Sequence, residues 1–352
     1  MISRRKFIQS SLTLAAGASV YLPLFSQSKG ASFGCIDLHT HPGIFFAKGS
    51  NLYPGDEALN RTLAEMHAGN ISGAFFSLVA DARIIKVGPD GVKPFGKFAA
   101  GEAWLDYKRQ LGLVKEVIDG SDSVILATEK SALEKNSGKV SAFISIEGGD
   151  YLEGDAGRLE EMYQDGIRSI QLVHYHPNEL GDLQTEPSQH NGLSGAGKEA
   201  VRRMNKLGMV IDVAHASYDT TKAVAAVTAN PIILSHSMLH TGSTHPVAQR
   251  MVSADHARAV ADTGGVIGMW PSGLNADLAD FVDNTMRLID VVGIDHVGLG
   301  TDMDANFRPV LSSYLQVRDW QKGLQSKGLK ESEVAKIAIG NATRVINQVL
   351  QT

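Results

Sequence analysis

A single cysteine in 352 residues leaves no intrachain disulfide to form, so a location outside the cytoplasm has to be argued from targeting sequence and not from thiols. A basic excess is missing as well. Lys and Arg number 33 against 38 Asp and Glu, for a formal charge of −5 and a pI near 6.2, which gives no field for counterion release and excludes nucleic acid as a partner. Internal repeats and low-complexity tracts are absent. What is present, 43% hydrophobic and 20% charged residues with 36 glycines and 11 prolines, describes a globular chain and not a disordered or collagen-like one. The length fits two average domains or one large α/β barrel.

The first residues carry the targeting argument. Ser3-Arg4-Arg5-Lys6-Phe7 precedes an uncharged, moderately apolar stretch from Ile8 to Ser28, the outline of a twin-arginine export signal. Pro23 and the many small polar residues make the stretch a poor membrane anchor. Cleavage near Ser28, after Ser26-Gln27-Ser28, is expected. That leaves residues 29–352 as one exported unit, periplasmic or secreted, with a formal charge of −8 and no stable membrane insertion.

Beyond the signal, short β-branched runs bounded by Gly, Pro, Asn or Asp recur eight times: Cys35–His41, Ser72–Ala80, Ser141–Gly148, Ile167–His174, Met209–His215, Pro231–His236, Gly265–Pro271 and His296–Asp304. Segments of helical periodicity lie between them, among them Asp56–Ala68, Ala103–Ile118, Gly197–Leu207 and Leu274–Val292. Alternating β and α elements imply parallel strands with helical crossovers, and eight such strands predict a closed (β/α)8 TIM barrel of the metal-dependent hydrolase type. A Rossmann-type sheet is the rival, but His39-Thr40-His41-Pro42 stands where its glycine-rich turn would be. The insert from about Asp81 to Val140 and the loop from Tyr175 to Gly195 exceed ordinary barrel connections.

Ligating and titratable side chains sit where the strands end: His39, His41, Glu147, His174, His215, His236 and Asp302. In a barrel those ends share one mouth, so residues more than two hundred positions apart can meet around an ion. His39 and His41, one residue apart on a strand, point the same way about 6.6 Å apart and can grip one metal. Zinc takes His, Asp and Glu donors and leaves a position for water at a catalytic site. Glu147, after the apolar run Phe143–Ile146, would be a costly buried carboxylate without a cation, and its two oxygens can bridge two ions. Asp302 ends the last strand, next to the first in a closed barrel, and suits a general base, with Asp304 as its rival. His176 and His190, in the long loop, read as ordinary residues together with the remaining histidines.

The ordered series IDLHTHPG, ISIEGGDYL, YQDGIRSIQLVH, NGLSGAGKEAVRRMNKLGMVIDVAHAS, PIILSHS, HPVAQRMV, DHVGLGTDMD and IGNATRVI, from residue 36 nearly to the end, resembles the membrane (renal) dipeptidase family of the amidohydrolase superfamily. The resemblance implies two divalent ions, most simply Zn2+. Glu147 bridges them, His39 and the residue at 41 complete one site, and His215 with His236 complete the other. It further implies that His174 polarises the scissile carbonyl, that Arg250 holds the substrate carboxylate, and that the protein is a homodimer. Position 41 departs from the family, which usually has Asp there, and Asp150 stands where His is frequent.

The expected chemistry is hydrolysis of short peptides by a metal-activated bridging hydroxide, with Asp302 as acid and base. Two alternatives remain at this stage. One is another amidohydrolase acting on N-acyl amino acids or lactones, or a deaminase. The other is a periplasmic metal-binding module without turnover, whose signature would be a missing ligand or base.

Overall fold

The computed structural model describes residues 34–351 apart from 90 and 137; residues 1–28, expected from sequence to be an export signal, lie outside them. Among the described residues eleven strands follow one another: β1 Cys35–Thr40, β2 Ile71–Val79, β3 Ile85–Gly88, β4 Gly91–Pro94, β5 Val124–Leu126, β6 Val140–Glu147, β7 Ile167–Gln171, β8 Val210–Asp212, β9 Ile233–Ser237, β10 Val266–Met269 and β11 Val297–Leu299. Eight of them pair in parallel, in chain order, as β1-β2-β6-β7-β8-β9-β10-β11, and β11 returns to β1 through Asp37 and Leu299. That closure makes a (β/α)8 TIM barrel. The longest ladder, β2 on β6, runs from Gly73 opposite Ser141 to Val79 opposite Glu147, and so delivers the Glu147 carboxylate to the mouth. β5 pairs only with the start of β6.

Barrel strands buried on both faces read as near-continuous apolar runs, and two separate cores show both faces. Ile36, Leu38, Phe75, Phe143, Val210, Ile233 and Val266 pack together inside, against Val345, Ile346 and Val349 of the last helix, Asn341–Val349, which plugs the barrel at the end opposite the mouth. Their neighbours, such as Phe76, Ile144, Ile211 and Leu234, pack outward against the helical shell. Two glycines are obligatory in the wall. A Cβ on Gly268 or on Gly300 would lie 1.8 Å from the Ser235 carbonyl oxygen, so only glycine lets these strands approach.

The helices fall close to the periodic segments, and their starts show why. Ser194, Ser217, Ser253 and Asp277 each accept a backbone N–H from the first turn that follows, the usual stop for an orphan donor. Asp277 starts its helix at Leu278, four residues later than the periodicity suggests. The insert after β2 holds the antiparallel hairpin β3–β4 and the helix Glu102–Asp119. Strand alternation within the barrel did not announce this hairpin; its signal is the local Gly88-Pro89-Asp90-Gly91 turn sequence.

Candidate metal centre and active site

An unbroken β1 could not send Ile36 and Leu38 into the inner core and also aim His39 and His41 at the mouth, because faces alternate along a strand. The β1–β2 register shifts between Asp37 and Thr40, and this irregularity re-aims the two histidines. Their Nε2 atoms end 3.0 Å apart. Glu147 stands between the two histidine pairs: Oε1 lies 3.4 Å from His39 Nε2, 3.3 Å from His215 Nε2 and 3.7 Å from His236 Nε2, while Oε2 lies 3.2 Å from His41 Nε2. His215 and His236 have their Nε2 atoms 3.1 Å apart. All five side chains are buried. Two nitrogens bound to one zinc at about 2.0–2.1 Å stand a little over 3 Å apart, which is the spacing of both histidine pairs.

Tautomers support the same reading. His41 Nδ1 is 2.9 Å from the Ser77 carbonyl oxygen, so Nδ1 carries the proton and the Nε2 lone pair faces the centre. Burial, with the Arg250 charge added, holds His215 well below the ordinary imidazole range; burial, with His39 and His215 nearby, does the same to His236. Both are neutral donors. Burial works against the Glu147 carboxylate, but the surrounding imidazoles, His174 and His39 first, hold it well below the usual carboxylate range. Burial works against the His39 cation, but the Glu147 charge and hydrogen bond, with the Asp302 and Asp212 charges added, together push it up to about 9. Imidazoles packed around one ionised carboxylate need a positive charge among them. Protons on the histidines or divalent ions between them can supply it, and the facing lone pairs suit ions.

Around this centre stand the reactive and anchoring groups. Asp302 Oδ1 is 3.5 Å from His41 Nε2, and Oδ2 accepts the Trp270 indole N–H at 3.3 Å. Burial and the Glu147 charge push Asp302 up to about 6. Asp302 and His215 both adopt left-handed backbone, at φ 55° and 64°, a conformation non-glycine residues hold only where packing enforces it. His174 Nε2 is 3.4 Å from Glu147 Oε1, and its Nδ1 is 2.6 Å from Asp81 Oδ1. The other Asp81 oxygen accepts the backbone N–H groups of Tyr175 and His176. Arg250, 1% exposed, lies with Nη2 3.2 Å from His236 Nε2. It donates through Nη1 to the Gln184 side-chain oxygen, interacts with the Tyr175 hydroxyl, and has no hydrogen-bond partner for its buried Nε.

The model of the membrane dipeptidase family, peptidase family M19, matches residues 31–352. The chain belongs to that family. A dipeptidase of Aspergillus oryzae, aclJ, is 30% identical over 260 residues, which is 69% of this chain and 61% of that protein's own length. Among solved structures, a metallopeptidase of Rhodobacter sphaeroides bound to a phosphinate mimic of the dipeptide L-Ala-D-Ala superposes with a TM-score of 0.77 at 19% identity, covering 91% of this chain and all of that one. A probable dipeptidase of Pseudomonas aeruginosa gives 0.72 at 22%, covering 90% and 95%. These two likenesses are of fold.

For this membrane dipeptidase family member, every residue expected from sequence to hold metal or act on substrate faces the common mouth. Asp304 does not act there, since it accepts the Gly43 N–H and the Thr62 hydroxyl and fastens a loop. His190 bonds to the Asn178 carbonyl. Asp150, the second departure from the family pattern, now has a physical role: it accepts from His176 Nδ1 at 2.7 Å and from Asn178, anchoring the long loop. Sequence reasoning missed Asp81, Tyr175, Gln184 and Trp270. Asp81 had a signal, an acid directly after an apolar strand, like Glu147 after Ile146. Gln184 had none, because its position in the long loop is set by tertiary contacts alone.

Proposed function

We propose that this family member hydrolyses dipeptides, using two divalent ions, most simply zinc, held by His39, His41, Glu147, His215 and His236. The observation that carries the reading is the single carboxylate, Glu147, reached within 3.7 Å by the Nε2 atoms of both histidine pairs. Bound there, a pair of such ions would lower the pKa of a water toward about 7 and polarise a carbonyl. The remaining chemistry belongs to the chain. Asp302 takes the proton of the attacking water and delivers it to the amine nitrogen as the C–N bond breaks, so that two amino acids leave. Asp81 fixes the His174 ring through Nδ1 and directs Nε2 toward the substrate carbonyl oxygen, where charge builds in the transition state. Arg250, held by Gln184 and backed by Trp270 5.9 Å away, binds the free carboxylate by charge-assisted hydrogen bonds.

Two further proposals rest on sequence alone: export by the twin-arginine route into the periplasm or medium, and assembly as a homodimer. Among the described residues no helix is long and apolar enough to cross a membrane.

The test is a panel of L,L- and L,D-dipeptides, N-acyl amino acids and a lactone, assayed with and without a chelator. Dipeptide turnover that the chelator abolishes supports the reading. Turnover of N-acyl or lactone substrates with none of dipeptides would replace it by the broader amidohydrolase alternative.

A further inference from the structure

The hairpin β3–β4 arches from the β2 side of the mouth to elements on the other side. Lys93 Nζ lies 2.9 Å from Glu186 Oε1 and 3.2 Å from the Thr185 carbonyl. A Cβ added at Gly91 would lie 3.6 Å from Pro246 Cβ, so the hairpin faces the Pro246–Arg250 turn that carries the carboxylate anchor across a narrow gap. Between hairpin and anchor remains a void of about 10 Å³, room for about one water molecule. It is lined by Val92, Thr185, Val247, Tyr175 and Arg250. Along this direction the order is metal centre, Arg250 with Tyr175, void, hairpin. A peptide whose carboxylate meets Arg250 has no space for another residue beyond it.

We propose that the Ile85–Pro94 hairpin is the length ruler of this enzyme, stopping the substrate chain one residue after the scissile bond by walling off the far side of Arg250. The inference rests on the dipeptidase reading and adds which segment sets the limit. The wall is a separable piece. Ile85 is paired directly with Pro94, so the two ends lie side by side and a short turn can join them. Its outer surface is solvated, with Val87 78% exposed, and the barrel strands do not pair with it.

The experiment replaces residues 86–93 by Asn-Gly in the full chain and compares kcat/KM for trialanine with that for dialanine, alongside Lys93→Ala/Glu186→Ala, which unties the hairpin without removing it. Thermal unfolding and metal content are measured on each protein. The expected result is a tripeptide-to-dipeptide ratio about tenfold higher without the hairpin, the scale of a relieved steric exclusion, and about threefold higher in the double variant, the scale of one partly exposed ion pair. If the deletion fails to fold, the double variant decides. A ratio unchanged in folded variants that still cleave dialanine overturns the ruler and leaves the dipeptidase reading standing. A wild-type protein that cleaves neither peptide overturns both.

Discussion

In the proposed mechanism Asp302 is both base and acid. Burial and the Glu147 charge disfavour its ionised form, while the Trp270 N–H holds one oxygen in place. Asp302→Asn keeps the shape and one acceptor oxygen but cannot carry the proton. The expected outcome is a loss of about 10³-fold in kcat with metal content per chain unchanged. Loss of an ion in the variant would instead make Asp302 a ligand, a role its 3.5 Å approach to His41 Nε2 leaves geometrically open. The seven strand-end residues were legible in the sequence because each ends an apolar run that names its own place in a barrel. Gln184 and Tyr175 were not, since their places beside Arg250 are set by the fold of the long loop, and Arg250 itself was named only through the family resemblance.

At the scale of elements, the stretch 188–192 of the long loop is fastened by one carboxylate within the same loop. Asp182 accepts the backbone N–H groups of Gln189, His190 and Gly192 and the Ser188 hydroxyl. Against burial, these bonds bring it down from 3.8 to about 2. A group whose folded pKa is depressed contributes stability that is complete above its unfolded pKa and is lost as pH falls through the folded one. This contribution is therefore full above about pH 5, amounts to about 2 kcal/mol, and fades between about pH 4 and 2. Denaturant unfolding of wild type and Asp182→Asn should show a gap of about that size at pH 7 that narrows by pH 3. A gap constant with pH would assign the effect to packing. Elements of the barrel were readable from periodicity because each strand and helix repeats one pattern. The hairpin was not, since its four-residue strands lie outside the barrel and half their surface faces water.

Over the whole molecule, barrel closure turns sequence distance into contact. His39 lies on β1 and Asp302 just beyond the end of the adjacent β11, more than 260 positions apart in the chain, and the Asp302 backbone N–H donates to the His39 carbonyl at 2.9 Å. The last helix packs Val345, Ile346 and Val349 against the inner core at the far end. The alternation of strands and helices carried that closure in the sequence. The register shift that makes room for both an inner core and a histidine pair on β1 was invisible, because it arises from pairing with β2.

The central claim is that Glu147 joins two ion sites into one. Metal analysis of the purified full chain beside Glu147→Ala tests it most directly. About two divalent ions per wild-type chain and loss of both in the variant are predicted, as removing a shared ligand should do. A wild type that is metal-free yet hydrolyses dipeptides, or a variant that keeps both ions, would contradict it.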